Sequence, residues 1–302
     1  MEGIHRENRP RLAGVVASLL ALGLVTAACG DGASADDNPP ITIGYTAWPE
    51  DIAVTYLWQG ILEDRGYDVT ISQRRVESLF AKMAGGDIDL FMDTWLPRTH
   101  ADYWRTYKDQ LGPPTKWYNA ATLELAVPNY MKAESIGDLH NYSEELGGKI
   151  VGIELGAGET TIIKRRVLPA YNLRRDFRYV SSSTAGMLAA LEGAINNRAP
   201  IVVALWHPHL AYLELPIKDL DDPKGAWGQP EGLWVTSRQE FNDDRPQVWG
   251  WLEKFHMSEE LLDSLLIAVV QEAHSPQGRR AAVDAWIGAH RDVVSAWAGP
   301  AD

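Results

Sequence analysis

Cysteine is nearly absent from this chain, since Cys29 is the only one among 302 residues. No intrachain disulfide can form, because Cys29 has no second thiol to pair with. Basic charge is also scarce: 28 Lys and Arg stand against 41 Asp and Glu, which gives a net charge of −13. A nucleic-acid partner is therefore not expected, because it would need a basic surface to replace the counterions.

Recognisable catalytic motifs are missing as well. The chain has no GxSxG nucleophile elbow, no HExxH zinc motif and no GxxxxGK(S/T) phosphate loop. Segment 156–158 is a lone GxG before a helix, and no further metal ligands follow His207 and His209 at a suitable spacing. We therefore predict a protein that is not an enzyme, with no catalytic residue, no metal and no cofactor. The many carboxylates leave a two-carboxylate glycosidase open.

The N-terminus has the pattern of a secretory signal. Several arginines precede an apolar run at 12–25, which is too short to span a bilayer comfortably. Cys29 follows small residues in an arrangement that resembles a bacterial lipobox, although Thr26 stands where Leu or Val is more usual. We expect a signal peptide at 1–28, lipidation of Cys29 and a flexible, lipid-anchored tether at 29–40. The alternative is an ordinary signal peptide with an incidental cysteine.

From residue 41 onward, strand-like and helix-like segments alternate. The predicted strands are 41–45, 67–72, 87–95, 121–127, 149–155, 177–182 and 200–206, and the predicted helices between them are 52–65, 76–84, 160–170 and 184–197. Short connections between alternating strands and helices predict a parallel α/β sheet. Two such units, 41–127 and 128–235, precede a helical tail in which Ser258 is the expected N-cap of an amphipathic helix.

Tryptophan is unusually frequent, with twelve in the chain. Trp48, Trp95 and Trp206 each come at the end of a predicted strand, where open α/β sheets bind their ligands. The face of an indole attracts a quaternary ammonium ion, whose charge is spread over methyl groups that cannot hydrogen-bond. Three such faces predict a cage for a quaternary ammonium ligand, and a sugar stacked on the same rings is the alternative.

Four segments occur in a fixed order: TAWPED (46–51), DTWLPRTHADYW (93–104), GIELGAGE (152–159) and LWHPHLAYLELPIKDLDDPK (205–224). Together they resemble the corresponding segments of glycine-betaine-binding proteins of osmoprotectant ABC transporters. The combination of WLPxTH, WxPH and DDPK carries the resemblance, which covers most of residues 41–235.

The resemblance implies a two-lobed α/β fold of the type II periplasmic-binding-protein kind, with lobe I at 41–127 plus 236–302, lobe II at 128–235 and a ligand cleft between the lobes. It implies a monomeric receptor, lipid-anchored on the extracytoplasmic face of the cell membrane, that captures glycine betaine or a related osmoprotectant and delivers it to an ABC permease. By position, the family's cage falls on Trp48, Trp95 and Trp206, its carboxylate-binding histidine on His100, and its carboxylate-binding backbone N–H groups on Gly158 and Glu159.

Departures from the family's pattern leave alternatives. Glu159 stands where an apolar residue is more usual, so only its backbone is expected to bind a carboxylate. Choline-binding relatives have an acidic residue soon after the first Trp, and Glu50 or Asp51 fits that position, but 121–127 lacks the aromatic residue of such relatives.

His100 favours glycine betaine over choline as the ligand. Because a protonated imidazole would hold a carboxylate better, betaine affinity is expected not to fall as the pH drops from about 8 to 6. A choline receptor, a sensory receptor of the same fold and a secreted carbohydrate-binding or carbohydrate-active protein are the other hypotheses.

Overall fold

The computed structural model describes residues 40–271 and 274–300. The expected signal peptide, Cys29 and nearly all of the tether at 29–40 lie outside these residues. Within the described ranges, no helix is long and apolar enough to cross a membrane.

The strands of the described residues join in one nine-stranded sheet. They are β1 (Ile41–Tyr45), β2 (Val69–Gln73), β3 (Leu90–Leu96), β4 (Thr115–Pro128), β5 (Lys149–Val151), β6 (Arg178–Val180), β7 (Val203–His207), β8 (Ile217–Asp219) and β9 (Glu231–Ser237). The α-helices are α1 (Pro49–Glu63), α2 (Val76–Ala84), α3 (Ala101–Tyr107), α4 (Gly158–Ile162), α5 (Leu168–Ala170), α6 (Thr184–Asn196), α7 (Ala211–Glu214), α8 (Phe241–Asp244), α9 (Pro246–Leu252), α10 (Glu259–Leu266), α11 (Pro276–Ala289) and α12 (Arg291–Ala298).

The sheet has two halves that share the long strand β4. The strand order is β2-β1-β3-β9-β4-β7-β5-β6, with β8 beside β4. Residues Thr115–Ala121 of β4 pair with β9, and Thr122–Ala126 pair with β7. We call β2, β1, β3, β9 and the elements packed on them the first half, and β7, β5, β6, β8 and their helices the second half.

The chain enters the second half within β4 and returns to the first half before β9, which pairs with β3. The expected lobe boundaries at 127/128 and 235/236 lie a few residues beyond these two crossings, and they stay predictions.

The predicted parallel arrangement holds only for the outer strands. β1 runs parallel to β2 and β3, and β5 runs parallel to β6 and β7. The strands in the middle, β9 and β4, pair antiparallel with all their neighbours, so the sheet is mixed. The predicted strand at 149–155 ends at Val151, whereas β9 and residues 115–120 of β4 were not predicted.

Helix α1 holds the first half together and fixes one wall of the site. Pro49 occupies the first position of the helix, where its missing N–H is harmless. Glu50 and Asp51 occupy the first turn, where acidic side chains are favourable. The helix is buried on nearly all sides, because α10 and α11 of the C-terminal region pack on it. Gly60 allows this close approach: a Cβ there would lie 2.7 Å from Val283 Cγ1.

Serine side chains cap three of the helices at their N-termini. Ser183, Ser258 and Ser275 each accept a hydrogen bond from a backbone N–H of the first turn. The predicted N-cap role of Ser258 is thus confirmed. These caps fix the starts of α6, α10 and α11.

Candidate ligand-binding site

The corner between β1 and α1 supplies the first tryptophan. Trp48 is the residue just before α1, and its extended backbone turns the chain out of the strand and into the helix. Its ring is buried, and its Nε1–H donates to Glu154 Oε1 at 2.8 Å. Because Glu154 follows β5 in the second half, the orientation of the Trp48 ring depends on a contact between the halves.

The end of β3 supplies the second tryptophan together with His100. Trp95 Nε1–H donates to the Asp93 carboxyl at 3.1 Å, which fixes the indole on its own strand. The tight loop after β3 returns to that strand: the His100 N–H donates to the Trp95 carbonyl at 3.0 Å, and the Trp95 N–H donates to His100 Nδ1 at 2.9 Å. The imidazole stacks on the Trp48 ring, with 5.6 Å between centroids and 17° between planes.

These bonds define the tautomer of His100. Because the Trp95 N–H can only donate, Nδ1 must accept, and the proton of the neutral ring sits on Nε2. Burial lowers the pKa of His100 to about 3, so the ring is neutral at physiological pH. A contribution from a protonated His100 imidazole is therefore not expected between about pH 8 and 6, and the expected pH dependence of betaine affinity stays a prediction. The Nε2–H is still a donor, and it has no partner among the described residues.

Strand β7 supplies the third tryptophan from the second half. Trp206 Nε1–H donates to Glu50 Oε1 at 2.8 Å, which is a second hydrogen bond between the halves. The ring lies edge-on to Trp48, with 6.5 Å between centroids and an interplanar angle of 69°. His209 packs on the ring of Trp206 at 4.6 Å between centroids.

Gly158 and Glu159 lie in the first turn of α4. Gly158 packs directly on the loop after β3: a Cβ there would lie 2.0 Å from the Thr99 carbonyl oxygen. Ala157 precedes the helix and has no polar side chain that could cap the N–H groups of the first turn. These N–H groups therefore remain available to an anion.

Glu159 lines the cavity and its side chain is buried, which the expectation of a backbone-only role had not foreseen. Its two carboxyl oxygens make no hydrogen bond within the described chain.

All six predicted residues line one cavity. It contains about 250 Å³ of space outside the protein atoms, open solvent at its mouth included, and its lining is Trp48, Glu50, Trp95, Thr99, His100, Leu123, Ile153, Ala157, Gly158, Glu159 and Trp206. The structure therefore brings every sequence-predicted ligand contact together. Leu123, Ile153 and Ala157 were missed, because buried apolar residues at such positions carry no chemical signature in a sequence.

Buried carboxyl groups surround the cage. Burial raises the pKa of Glu50 to about 8 and that of Asp51, which accepts from Thr46 and Thr55, to about 7. Burial and the neighbouring Glu50 and Asp51 carboxyls raise the pKa of Asp93 well above its usual range. The site thus combines three indole rings, one neutral N–H donor and several buried carboxyl groups with raised pKa values, which suits an organic cation with a polar end.

The two histidines of the WHPH segment have separate partners. His207 Nε2 lies 2.8 Å from Asp219 Oδ2, while His209 Nδ1 accepts from the Ala211 N–H at 3.0 Å. In the described ranges no group of three or more His, Cys, Asp or Glu side chains is arranged to hold a metal ion.

Known proteins with similar sequences and structures share this architecture. The model of the substrate-binding domain of ABC-type glycine betaine transport systems matches residues 39–289. The glycine betaine/carnitine transport binding protein GbuC of Listeria monocytogenes is 29% identical over 181 residues, which is 60% of this chain and 57% of that protein. The match therefore spans little more than half of that relative's length.

Two solved structures extend the comparison to the fold. The glycine betaine/L-proline-binding protein ProX of Borrelia burgdorferi is 26% identical and has a TM-score of 0.79 over 86% of this chain and 97% of its own. The lactococcal protein OpuAC in its closed form with glycine betaine is 27% identical, with a TM-score of 0.78 over 86% of this chain and 100% of its own. These neighbours confirm the predicted two-lobed α/β fold of type II periplasmic binding proteins. Because the family model matches most of the chain, this protein belongs to the family of substrate-binding domains of ABC-type glycine betaine transport systems.

Proposed function

We propose that this protein captures glycine betaine, or a closely related quaternary ammonium osmoprotectant, and delivers it to an ABC permease. The observation that carries the proposal is the joint placement of Trp48, Trp95, Trp206 and the His100 Nε2–H around one buried cavity. The trimethylammonium group lies among the indole faces, each contributing roughly 0.5–2 kcal/mol of cation–π attraction. The ligand carboxylate accepts from His100 Nε2 and from the backbone N–H groups of Gly158 and Glu159.

The remaining parts of the proposal concern the whole protein. Lobe I at 41–127 plus 236–302 and lobe II at 128–235 close on the ligand as a trap. Lipidation of Cys29 and the tether at 29–40 hold a monomeric receptor on the extracytoplasmic side of the membrane. The signal-like N-terminal sequence and the family membership support this part.

A cation with a hydroxyl group, such as choline, is the second candidate ligand. The Glu50 and Glu159 side chains in the cavity wall favour it, because carboxyl oxygens accept from a hydroxyl and attract a cation. His100 favours glycine betaine, because its Nε2–H is a donor that a carboxylate uses better than a hydroxyl does.

Calorimetric titration with glycine betaine, choline and proline betaine tests the proposal. We expect micromolar betaine binding, which Trp95→Ala weakens by about tenfold or more because one indole face is lost. Trp251→Ala in α9, a half-buried tryptophan that does not line the cavity, is the matched control and should leave the affinity unchanged. Unchanged affinity in Trp95→Ala would contradict the cage, and sugar binding that betaine does not displace would favour the carbohydrate hypothesis.

A further inference from the structure

The proposed betaine contacts use the backbone N–H of Glu159 but assign no role to its acidic side chain. It is 2% exposed, and neither of its carboxyl oxygens has a hydrogen-bond partner in residues 40–271 and 274–300. A buried polar group without a partner is destabilising by roughly 1–3 kcal/mol. Such a group, placed in the wall of a ligand cavity, points to a partner that the ligand supplies.

Other ionisable groups face this carboxyl from several elements. Glu50 on α1, Glu124 on β4 and Glu154 after β5 act on it from three sides. Tyr179 on β6 and Tyr212 on α7 are close enough to feel its charge, and His100 lines the same cavity. Burial first, and then the three neighbouring carboxyls, raises the pKa of Glu159 well above its usual range.

The protonation state of Glu159 decides what the cavity can bind. A neutral carboxylic acid carries an O–H donor, whereas a carboxylate only accepts hydrogen bonds. A ligand carboxylate in this cavity already accepts from the His100 Nε2–H, and the acid form of Glu159 supplies one more donor. The ionised form would place a second negative charge beside the ligand carboxylate, which is strongly unfavourable in a buried site.

We propose that Glu159 is a specificity-determining ligand contact: as the acid it donates its O–H to a ligand carboxylate, and as the carboxylate it rejects zwitterions and favours a cation that bears a hydroxyl. The inference rests on the proposed function, since it concerns the polar end of the same ligand. It makes the preference between glycine betaine and choline depend on one proton.

The sign of the pH dependence follows from this assignment. Glycine betaine affinity is constant while Glu159 stays protonated in the free protein, and it falls by up to about tenfold per pH unit above the pKa of that group. Betaine binding in that range takes up a proton. Choline affinity does not fall with rising pH. His100 cannot cause the effect, because its pKa lies at about 3.

The test is calorimetry of both ligands between about pH 5.5 and 9, in buffers of different ionisation enthalpy. The wild-type protein should show falling betaine affinity and proton uptake as the pH rises. Glu159→Gln keeps the size of the side chain and an N–H donor but cannot ionise, so its betaine affinity should be independent of pH. Glu50→Gln is the matched control, because Glu50 lines the same cavity and its pKa, at about 8, lies within the tested pH range.

The outcomes separate this inference from the proposed function. A betaine affinity that rises with pH in the wild-type protein, or a flat profile together with unchanged affinity in Glu159→Ala, which lacks the O–H donor, would overturn the inference. A pH dependence of betaine affinity that persists in Glu159→Gln, or that disappears only in Glu50→Gln, would assign the proton to another group. Either result would also overturn the inference. Absence of betaine and choline binding at every pH, including about 5.5, would refute the proposed function itself.

Discussion

At the scale of single residues, each of the three tryptophans that line the cavity donates its indole N–H to a carboxyl group. Trp48 donates to Glu154, Trp95 to Asp93 and Trp206 to Glu50. An indole that is buried and hydrogen-bonded at Nε1 is fixed in orientation, so a ligand that enters the cavity meets the ring without further ordering. The three acceptors thus hold the rings through hydrogen bonds, and burial keeps the carboxyls of Glu50 and Asp93 largely protonated near neutral pH.

The two nitrogens of His100 allow its structural and binding roles to be separated. In His100→Asn, the amide oxygen takes over the acceptor role of Nδ1 toward the Trp95 N–H, but no donor reaches the position of Nε2. A hydrogen bond to a charged group contributes about 1.5–3 kcal/mol, so betaine affinity should fall by about tenfold to a hundredfold. Calorimetry measures this loss, and choline affinity should fall less.

His209→Asn is a closely matched control for that variant. His209 is also buried, its Nδ1 also accepts a backbone N–H, and burial lowers its pKa to about 3, yet it does not line the cavity. Its replacement should lower the melting temperature without a matching loss of betaine affinity. Equal losses of affinity in the two variants would mean that His100 acts only through the fold.

At the scale of elements, the strand ends could be predicted from the sequence, because a polar or aromatic residue after a short apolar run is a local signal. Trp48, Trp95 and Trp206 were selected on that basis, and all three line the cavity. The pairing of β9 with β3 and β4 could not be predicted in the same way, since it joins residues more than a hundred positions apart. Antiparallel strands in the middle of the sheet therefore replaced the parallel sheet that local alternation suggested.

The burial of the Glu159 side chain could not be predicted from the sequence for a similar reason. A residue in the first turn of a helix can face either side, and its direction depends on how the helix is seated. Here the seating is determined by Gly158, whose Cα lies against the Thr99 carbonyl of the other half. A contact of this kind depends on the closed arrangement of the two halves and has no local pattern.

That contact leads to a prediction for α4. In Gly158→Ala the new Cβ would lie 2.0 Å from the Thr99 oxygen, far inside van der Waals contact, so the halves cannot reach their observed separation. Because the clash involves backbone, we expect betaine affinity to fall by about tenfold or more while the melting temperature of the unliganded protein changes little. Titration calorimetry and thermal unfolding measure the two quantities.

Gly193→Ala in α6 serves as the control, since a Cβ at that helical position meets no atom within 4 Å in the described structure. Alanine there should leave binding intact and stabilise the helix by roughly 0.5–1 kcal/mol. If Gly158→Ala bound betaine as tightly as Gly193→Ala does, the close approach of α4 to the Thr99 loop would not be required for binding.

At the scale of the whole molecule, the two halves meet through the cage itself and through contacts around it. Besides the two indole bonds, the Tyr103 hydroxyl donates to the Gly156 carbonyl at 2.8 Å, and Arg165 lies 3.6 Å from Asp102. The ion pair is exposed and contributes little. In the proposed trap the indole bonds matter more, because they join the two halves at the cavity, so that closing would bring the three rings together and the ligand would stabilise the closed state.

Glu154 should therefore control how long the ligand stays bound. In Glu154→Ala the Trp48 N–H loses its acceptor in the closed protein, whereas in an open protein water takes that place, so the penalty of about 1–3 kcal/mol falls on the closed state alone. We expect a five- to hundredfold weaker betaine affinity, expressed mainly as faster dissociation in stopped-flow tryptophan fluorescence. Glu154→Gln keeps an acceptor oxygen and should recover most of the affinity. Equal losses in the two variants, or a change confined to the association rate, would show that the bond from Trp48 does not hold the closed state.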